Sequence, residues 1–289
     1  MASVLSSLRY LFADFIGDDD AAVPFLPYGL PDAIAPVVSE GIHLLIDYQG
    51  ASYAQFYVDR VRRFVGRSDV DDAMLGEIAR LMAMRMSYED PIRIAQWKLG
   101  EHNAAPAQPI DDVRQFRWDE LVGALPAAVA EPILGALEFV GWTHKPVSIR
   151  YSTASRWGIR RLRIEASLRR WRLFSVRYRD ERAWVDRWLH MIDRSLIKRP
   201  AAAPEIVQTA TMVQGYGDPY RLGLADWHLI INSLAKPTFD GVLPLGDLAG
   251  AIAEARAAAM PDPRQLALKR KIDEIRARVT SAGANVAAG

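Results

Sequence analysis

Five histidines, His43, His102, His144, His190 and His228, are the side chains best suited to bind a metal or move a proton near neutral pH. They lie 59, 42, 46 and 38 residues apart, so no His-x-x-x-His pair sets two imidazoles on one helix face. The sequence has no cysteine, which removes thiolate nucleophiles, cysteine-ligated zinc and all-cysteine iron–sulfur clusters. The Gly-x-Ser-x-Gly elbow, the Walker A loop and the Gly-x-Gly-x-x-Gly fingerprint are also missing. Adjacent carboxylates stand at Asp71-Asp72, Glu89-Asp90 and Asp111-Asp112. Neighbouring residues on a helix do not face each other, so these pairs are expected to serve helix N-termini rather than act as general acid and base.

One segment concentrates residues that recognise partners. Gln214 to Gly223 packs three glycines, a proline, two tyrosines and an Asp/Arg pair between two helical patterns. Folding alone accounts for it as a helix C-cap at Gly215, a turn at Asp218-Pro219 and a new helix after Gly223. Read functionally, it offers Tyr216, Asp218, Tyr220 and Arg221 to a partner, residue types that concentrate at interface hot spots. A phosphate cradle around Arg221 is the weaker third reading, since the spacing matches no phosphate motif. The turn Tyr88-Glu89-Asp90, with Arg93 just beyond it, is a second polar interruption between apolar-periodic helices and joins the expected partner surface.

The elements that must position these residues are helices. Helical apolar spacing predicts a first helix over Ser3 to Ile16, proline as a first-turn residue places one from Pro31 to about Tyr48, and spacings of three and four predict one from near Ser52 that carries Tyr53, Phe56, Tyr57, Val61 and Phe64. Asp69 to Asp72 precede Met74, Ile78, Leu81, Met82 and Met86, a methionine-rich face that reads as core. A short pattern follows Pro91, and Leu121 to Val140 reads as a helix broken by Pro126 and Pro132. Pro146 to Ser152 has the alternation of a strand. In Arg156 to Phe174, Trp157, Ile164, Leu168 and Trp171 fall on one side and Ile159, Leu162, Ala166 and Leu173 on the other, which predicts a helix sandwiched between two layers. A helix from Asp180 ends at Pro200, and further helices are expected at about 203–214, 223–235, 246–259 and 262–280. The fold class is therefore mainly α and multi-helical, with room for one short strand pair.

With 289 residues, 50% of them hydrophobic and 25% charged, the chain has the composition of a globular protein with a real core. Asn103 to Pro109 reads as a linker, dividing a helical part over 1–102 from a second over 110–280, with a tail at 281–289; a single domain is the other possibility. No apolar stretch is long enough to span a membrane, and the N-terminus lacks a secretory pattern, so a cytoplasmic address is expected. The formal charge of +1 conceals an asymmetry: residues 1–144 carry 11 basic and 21 acidic side chains, whereas residues 145–199 carry 16 and 5. That basic block could face nucleic acid, an acidic partner, or the acidic first half of its own chain. Arg160, Arg161, Arg163, Arg169, Arg170 and Arg172, with Trp157 and Trp171, could bind a nucleic acid over residues 150–182. The core spacing of the tryptophans and a pI near 8.0 argue against it.

The strings Leu45 to Ala54 (LIDYQGASYA), Met86 to Ala95 (MSYEDPIRIA), Leu168 to Arg172 (LRRWR) and Gly215 to Asp218 (GYGD) occur in that order. Together they resemble the accessory helical region of indolepyruvate oxidoreductases, relatives of the 2-oxoacid:ferredoxin oxidoreductases, over residues 31 to 280. The resemblance implies a non-catalytic region that docks on the alpha subunit and the gamma-type domain of an arylpyruvate-oxidising complex. In such a complex thiamine diphosphate and iron–sulfur clusters belong to the partner. The chain has no cysteine and no thiamine-binding Gly-Asp-Gly motif, so the resemblance carries no redox activity and no catalytic residue to it.

Overall fold

The computed structural model describes residues 24–259 and 262–287, with the side chains of the last helix described as far as 279. The helix expected over Ser3 to Ile16 lies outside the described residues. The protein is mainly α-helical with one two-stranded antiparallel sheet. Its described residues divide into two compact units, one formed by 24–66 and 82–183, the other by 67–81, 184–259 and 262–287. The division therefore does not fall at Asn103 to Pro109, which lies inside the first unit.

In the first unit, helices α1 (Ala35–Tyr48) and α2 (Ala51–Arg62) form an antiparallel pair. Pro36, not Pro31, opens α1; Pro31 begins a turn in which its carbonyl accepts from the Ile34 and Ala35 amides. Gly41 permits the close approach of the pair, because a Cβ there would collide with the Tyr57 ring. Val38, Ile42, Leu45, Tyr57, Val58 and Val61 close the interface and are buried. Helix α3 (Asp72–Met86) places Met82 and Met86 in the core, as plain packing residues. Asp90 caps helix α4 (Pro91–Ala104): its carboxylate accepts from the Arg93 amide at 2.6 Å while Pro91 occupies the first turn.

Strand β1 (Asp111–Arg117) pairs antiparallel with β2 (Pro146–Ser152), in a register that sets Asp111 opposite Ser152 and Arg117 opposite Pro146. Asp111 and Asp112 therefore open a strand rather than a helix. They pair instead with Arg150 and with Arg114 and Lys98. Only Phe116 and Tyr151 of the two strands are buried, edge to face at 6.4 Å. Between the strands run helices α5 (Trp118–Gly123) and α6 (Ala127–Phe139). Pro126 breaks the helical run as expected, but Pro132 sits inside α6. Its ring and the carbonyl of Ala128 are on exposed positions, where water can take the hydrogen bond that proline cannot make.

Helix α7 (Arg156–Ser167) gives way to a 3-10 segment, Leu168–Phe174, and then to helix α8 (Val176–Lys198). Leu162 and Leu173 are buried, but Trp157 is 77% exposed, and Ile164, Leu168 and Trp171 are exposed as well. The sandwich expected here is corrected to a helix packed on one side only.

In the second unit, Trp184, Trp188, Leu189 and Ile192 of α8 pack with α9 (Ala203–Gln208), α10 (Gly217–Ile230), a π-helical turn at Ile231–Ala235 and α11 (Lys236–Phe239). Helices α12 (Leu248–Ala258) and α13 (Leu266–Ala287) complete it. α13 runs through most of the segment read as a tail. Trp184 stacks on Trp188 at 6.2 Å and meets Trp227 edge to face at 5.3 Å. The loop before α10 spans only 213–216, because the helix already starts at Gly217 rather than after Gly223. Gly223 instead lets α10 pass the Met212 carbonyl, which any Cβ would strike.

Candidate functional site

Three of the four strings named above meet around one guanidinium. Arg172, in the 3-10 segment, is 1% exposed. Its Nε donates to Asp90 Oδ2 at 2.7 Å and its Nη2 to Asp90 Oδ1 at 3.0 Å, a forked pair. Its Nη1 donates to the Tyr48 carbonyl and to Gln49 Oε1, both at 3.0 Å. The guanidinium lies 4.0 Å from the Tyr48 ring centroid. Gln49 then returns a hydrogen bond from Nε2 to the Arg169 carbonyl at 2.9 Å, so the end of α1 and the LRRWR string are tied in both directions. Burial opposes the Arg172 charge, but the Asp90 carboxylate outweighs it and holds the pKa above the ordinary arginine value.

A second layer surrounds this pair. Arg93 is buried except where it donates to Asp47 Oδ2 at 2.7 Å, and its guanidinium lies over Tyr48 and Trp97. Tyr53 donates its hydroxyl hydrogen to the Met86 carbonyl at 2.9 Å. Arg85 donates to Glu181 at 2.6 Å in a buried pair that Arg177 joins at 2.9 Å. Burial pushes the Tyr48, Tyr53 and Tyr88 hydroxyls well above the usual phenol range, so none is poised to lose a proton near neutral pH. The Asp90 carboxylate is committed both to a helix cap and to a guanidinium. This cluster holds α1, α4 and the 3-10 segment together rather than performing acid–base work.

The residues expected to form a partner surface belong to two different units. Tyr88 and Arg93 belong to the buried network of the first unit, and Glu89 beside them is half-buried. Tyr216, Asp218, Tyr220 and Arg221 belong to the second unit. Tyr220 is buried, Tyr216 and Arg221 are half-buried, with Arg221 ion-paired to Asp218 at 3.5 Å, and Asp218 is exposed. Tyr88, Arg93 and Tyr220 are thus corrected from surface residues to core residues. The physical reason is that aromatic rings and an arginine stem bury large apolar areas whenever a polar turn folds back onto its helices.

Beside the Gly215 string the second unit opens a cavity of about 580 Å³, whose wall includes Glu205, Thr211, Gln214, Asp226 and Arg256. Arg256 donates to Glu205 at 2.6 Å, and Gln265 donates to Asp226 Oδ1 at 2.7 Å. Burial holds the Asp226 carboxyl above the usual carboxylate range. A carboxyl raised on folding takes up protons relative to the unfolded chain, so its contribution falls as pH rises from the ordinary value of about 4 through the raised one. Asp226→Asn keeps the acceptor for Gln265 and removes the ionisation. It is expected to stabilise the protein at neutral pH, with the advantage vanishing in acid; urea denaturation across pH measures this, and identical pH profiles for the two proteins would refute it.

The basic block is answered in part by the acidic first half: Arg172 by Asp90, Arg150 by Asp111 and Arg179 by Glu131. What the sequence reading missed is the apolar surface left outside these pairs. Trp157, Ile164 and Leu168 of the α7 side and Val129, Ile133 and Phe139 of α6 are exposed, Phe139 by 93%.

With this geometry in place, comparison with known proteins adds one match. Residues 34–233 match DUF6537, described as a family of unknown function. The chain belongs to the DUF6537 family. All four strings lie within the matched residues, so the Arg172 network and the start of α10 are part of the DUF6537 region. No curated protein and no solved structure matches the chain. Among the described residues of this DUF6537 member, no helix is long and apolar enough to cross a membrane.

Proposed function

We propose that the chain is a non-catalytic helical module of an arylpyruvate (indolepyruvate) oxidoreductase complex, acting in the cytoplasm. It docks on the alpha subunit and gamma-type domain, which would hold the thiamine diphosphate and the iron–sulfur clusters. The resemblance of the four strings names the complex. The observation that carries a non-catalytic role is the Arg172 network: the residues of three strings spend their charges and hydrogen bonds on one another, building a rigid scaffold. The half-exposed Tyr216 and exposed Asp218 are the part of the fourth string available to a partner.

Co-expression with an alpha subunit of such a complex tests the reading. The two chains are expected to copurify, and the chain alone is expected to be colourless, with no iron, no thiamine diphosphate and no 2-oxoacid oxidation. Tyr216→Ala is expected to shift unfolding stability by less than about 1 kcal/mol and to weaken association by more than about 1 kcal/mol. Stoichiometric iron in the isolated chain, or failure of the chains to copurify, would count against it.

A second reading, binding of nucleic acid through residues 150–182, gains from the exposure of Trp157 and Trp171 beside Arg160 and Arg163. It predicts an affinity for DNA or RNA tighter than about 10 nM at physiological salt, the range of specific binders. Weak binding that disappears at moderate salt would leave only a non-specific phosphate attraction.

A further inference from the structure

Helix α6 has the composition of a core helix and the exposure of a surface one. Its thirteen residues are apolar around the whole circumference except for Glu131 and Glu138, yet Ala130 is the one that is buried. A helix apolar on all sides is stable in water only when something covers it. Every charged group between Asp119 and Glu138 is a carboxylate, and no basic residue occurs between Arg117 and Lys145 except the weakly basic His144.

The α7 side is its electrostatic opposite. Trp157, Ile164 and Leu168 form an exposed apolar stripe at helical spacing. Arg156, Arg160 and Arg163 are exposed around it, and none has a carboxylate partner among the described residues. Both surfaces belong to the first unit. Pro126, just before α6, forms an antiparallel backbone bridge with Ser175, just after the 3-10 segment, and Glu131 of α6 pairs with Arg179 at 2.9 Å.

We propose that a second copy of this chain covers both surfaces, α6 of each copy packing against the α7 stripe of the other about a twofold axis. A unit that carries one apolar-acidic surface and one apolar-basic surface is complementary to itself under such a rotation, and the rotation closes the assembly at two copies. The composition fits interface anatomy, with Trp, Phe and aliphatic residues at the centre and arginines at the rim. Residues 125–142 and 156–174 together supply the roughly 20 to 30 residues a side that a stable interface of ordinary size needs. This inference does not depend on the oxidoreductase reading.

Sedimentation of the full chain tests it. The wild type is expected to be a dimer at about 10 µM, in the ordinary affinity range of such interfaces. Trp157→Glu and Ile133→Glu, both at exposed positions, are each expected to weaken self-association at least about tenfold with unchanged circular dichroism and melting temperature. Charge reversal adds a readout that misfolding cannot imitate. The Arg160→Glu/Arg163→Glu variant and the Glu138→Arg variant should each be monomeric alone, and an equimolar mixture should dimerise, because each contact then joins opposite charges. A monomer at about 100 µM, or a dimer indifferent to all four variants, overturns the proposal. So does a monomeric chain whose Trp157→Glu variant loses only the catalytic alpha subunit, or only a DNA probe. In the first of those cases the docking reading survives while this one fails.

Discussion

Arg172→Ala is expected to lower the unfolding free energy by about 3 to 5 kcal/mol, the loss typical when one partner of a buried ion pair is removed. The magnitude follows from what stays behind. Asp90 is 5% exposed and would be left without its partner in a site shaped for a guanidinium. The Tyr48 carbonyl and Gln49 Oε1 would lose donors at 3.0 Å, and the Tyr48 ring would lose the cation above it. Arg172→Lys should recover only part of the loss, since an ammonium cannot reproduce the fork to both Asp90 oxygens or lie flat on the ring. A double variant, Arg172→Met with Asp90→Asn, should be more stable than Arg172→Met alone, because the stranded charge is gone. Urea denaturation of the wild type and the four variants measures these differences. A loss below about 1 kcal/mol for Arg172→Ala would mean that the network is surface chemistry, and the scaffold argument for a non-catalytic role would fall with it.

Trp227→Ala should cost a similar amount, about 3 to 5 kcal/mol, by a different mechanism. Trp227 is fully buried, sits edge to face on Trp184, and donates its indole hydrogen to Thr209 Oγ1 at 2.9 Å. Truncation leaves a void among α8, α9 and α10 that rigid helices cannot collapse to fill. Thr209→Val is nearly isosteric and leaves the indole N–H without an acceptor, so it should cost about 1 to 3 kcal/mol while the core stays packed. The order Trp227→Ala, then Thr209→Val, separates packing from hydrogen bonding in the second unit. Equal losses for the two variants would show that the void is relieved by repacking and that the indole contributes mainly through its hydrogen bond.

Much of this protein is local and was legible in the sequence. Helical periodicity marks α2, α3, α8 and α12 because an amphipathic helix writes its buried face into the spacing of its apolar residues. Pro146 to Ser152 was legible as a strand because β-branched residues alternate there over a short run. Its partner β1 was not, since Asp111 to Arg117 is mostly polar and becomes a strand only by pairing with β2. Likewise the absence of cysteine and of local histidine pairs is a property of composition and needs no coordinates.

Only the tertiary structure decided which charged and aromatic residues lie inside. Asp90 and Arg172 are separated by 82 residues, and no spacing rule links a helix cap to a 3-10 segment so far along the chain. The sequence reading placed Tyr88, Arg93 and Tyr220 outside because their turns are polar, but burial of a long side chain is settled by what packs over it. It placed Trp157 inside because its spacing is that of a core face. Periodicity shows that a helix has an apolar face without showing whether the same chain supplies the cover. For α6 and α7 the described residues do not supply one, and that unmet demand came into view only once the neighbours of each face were known.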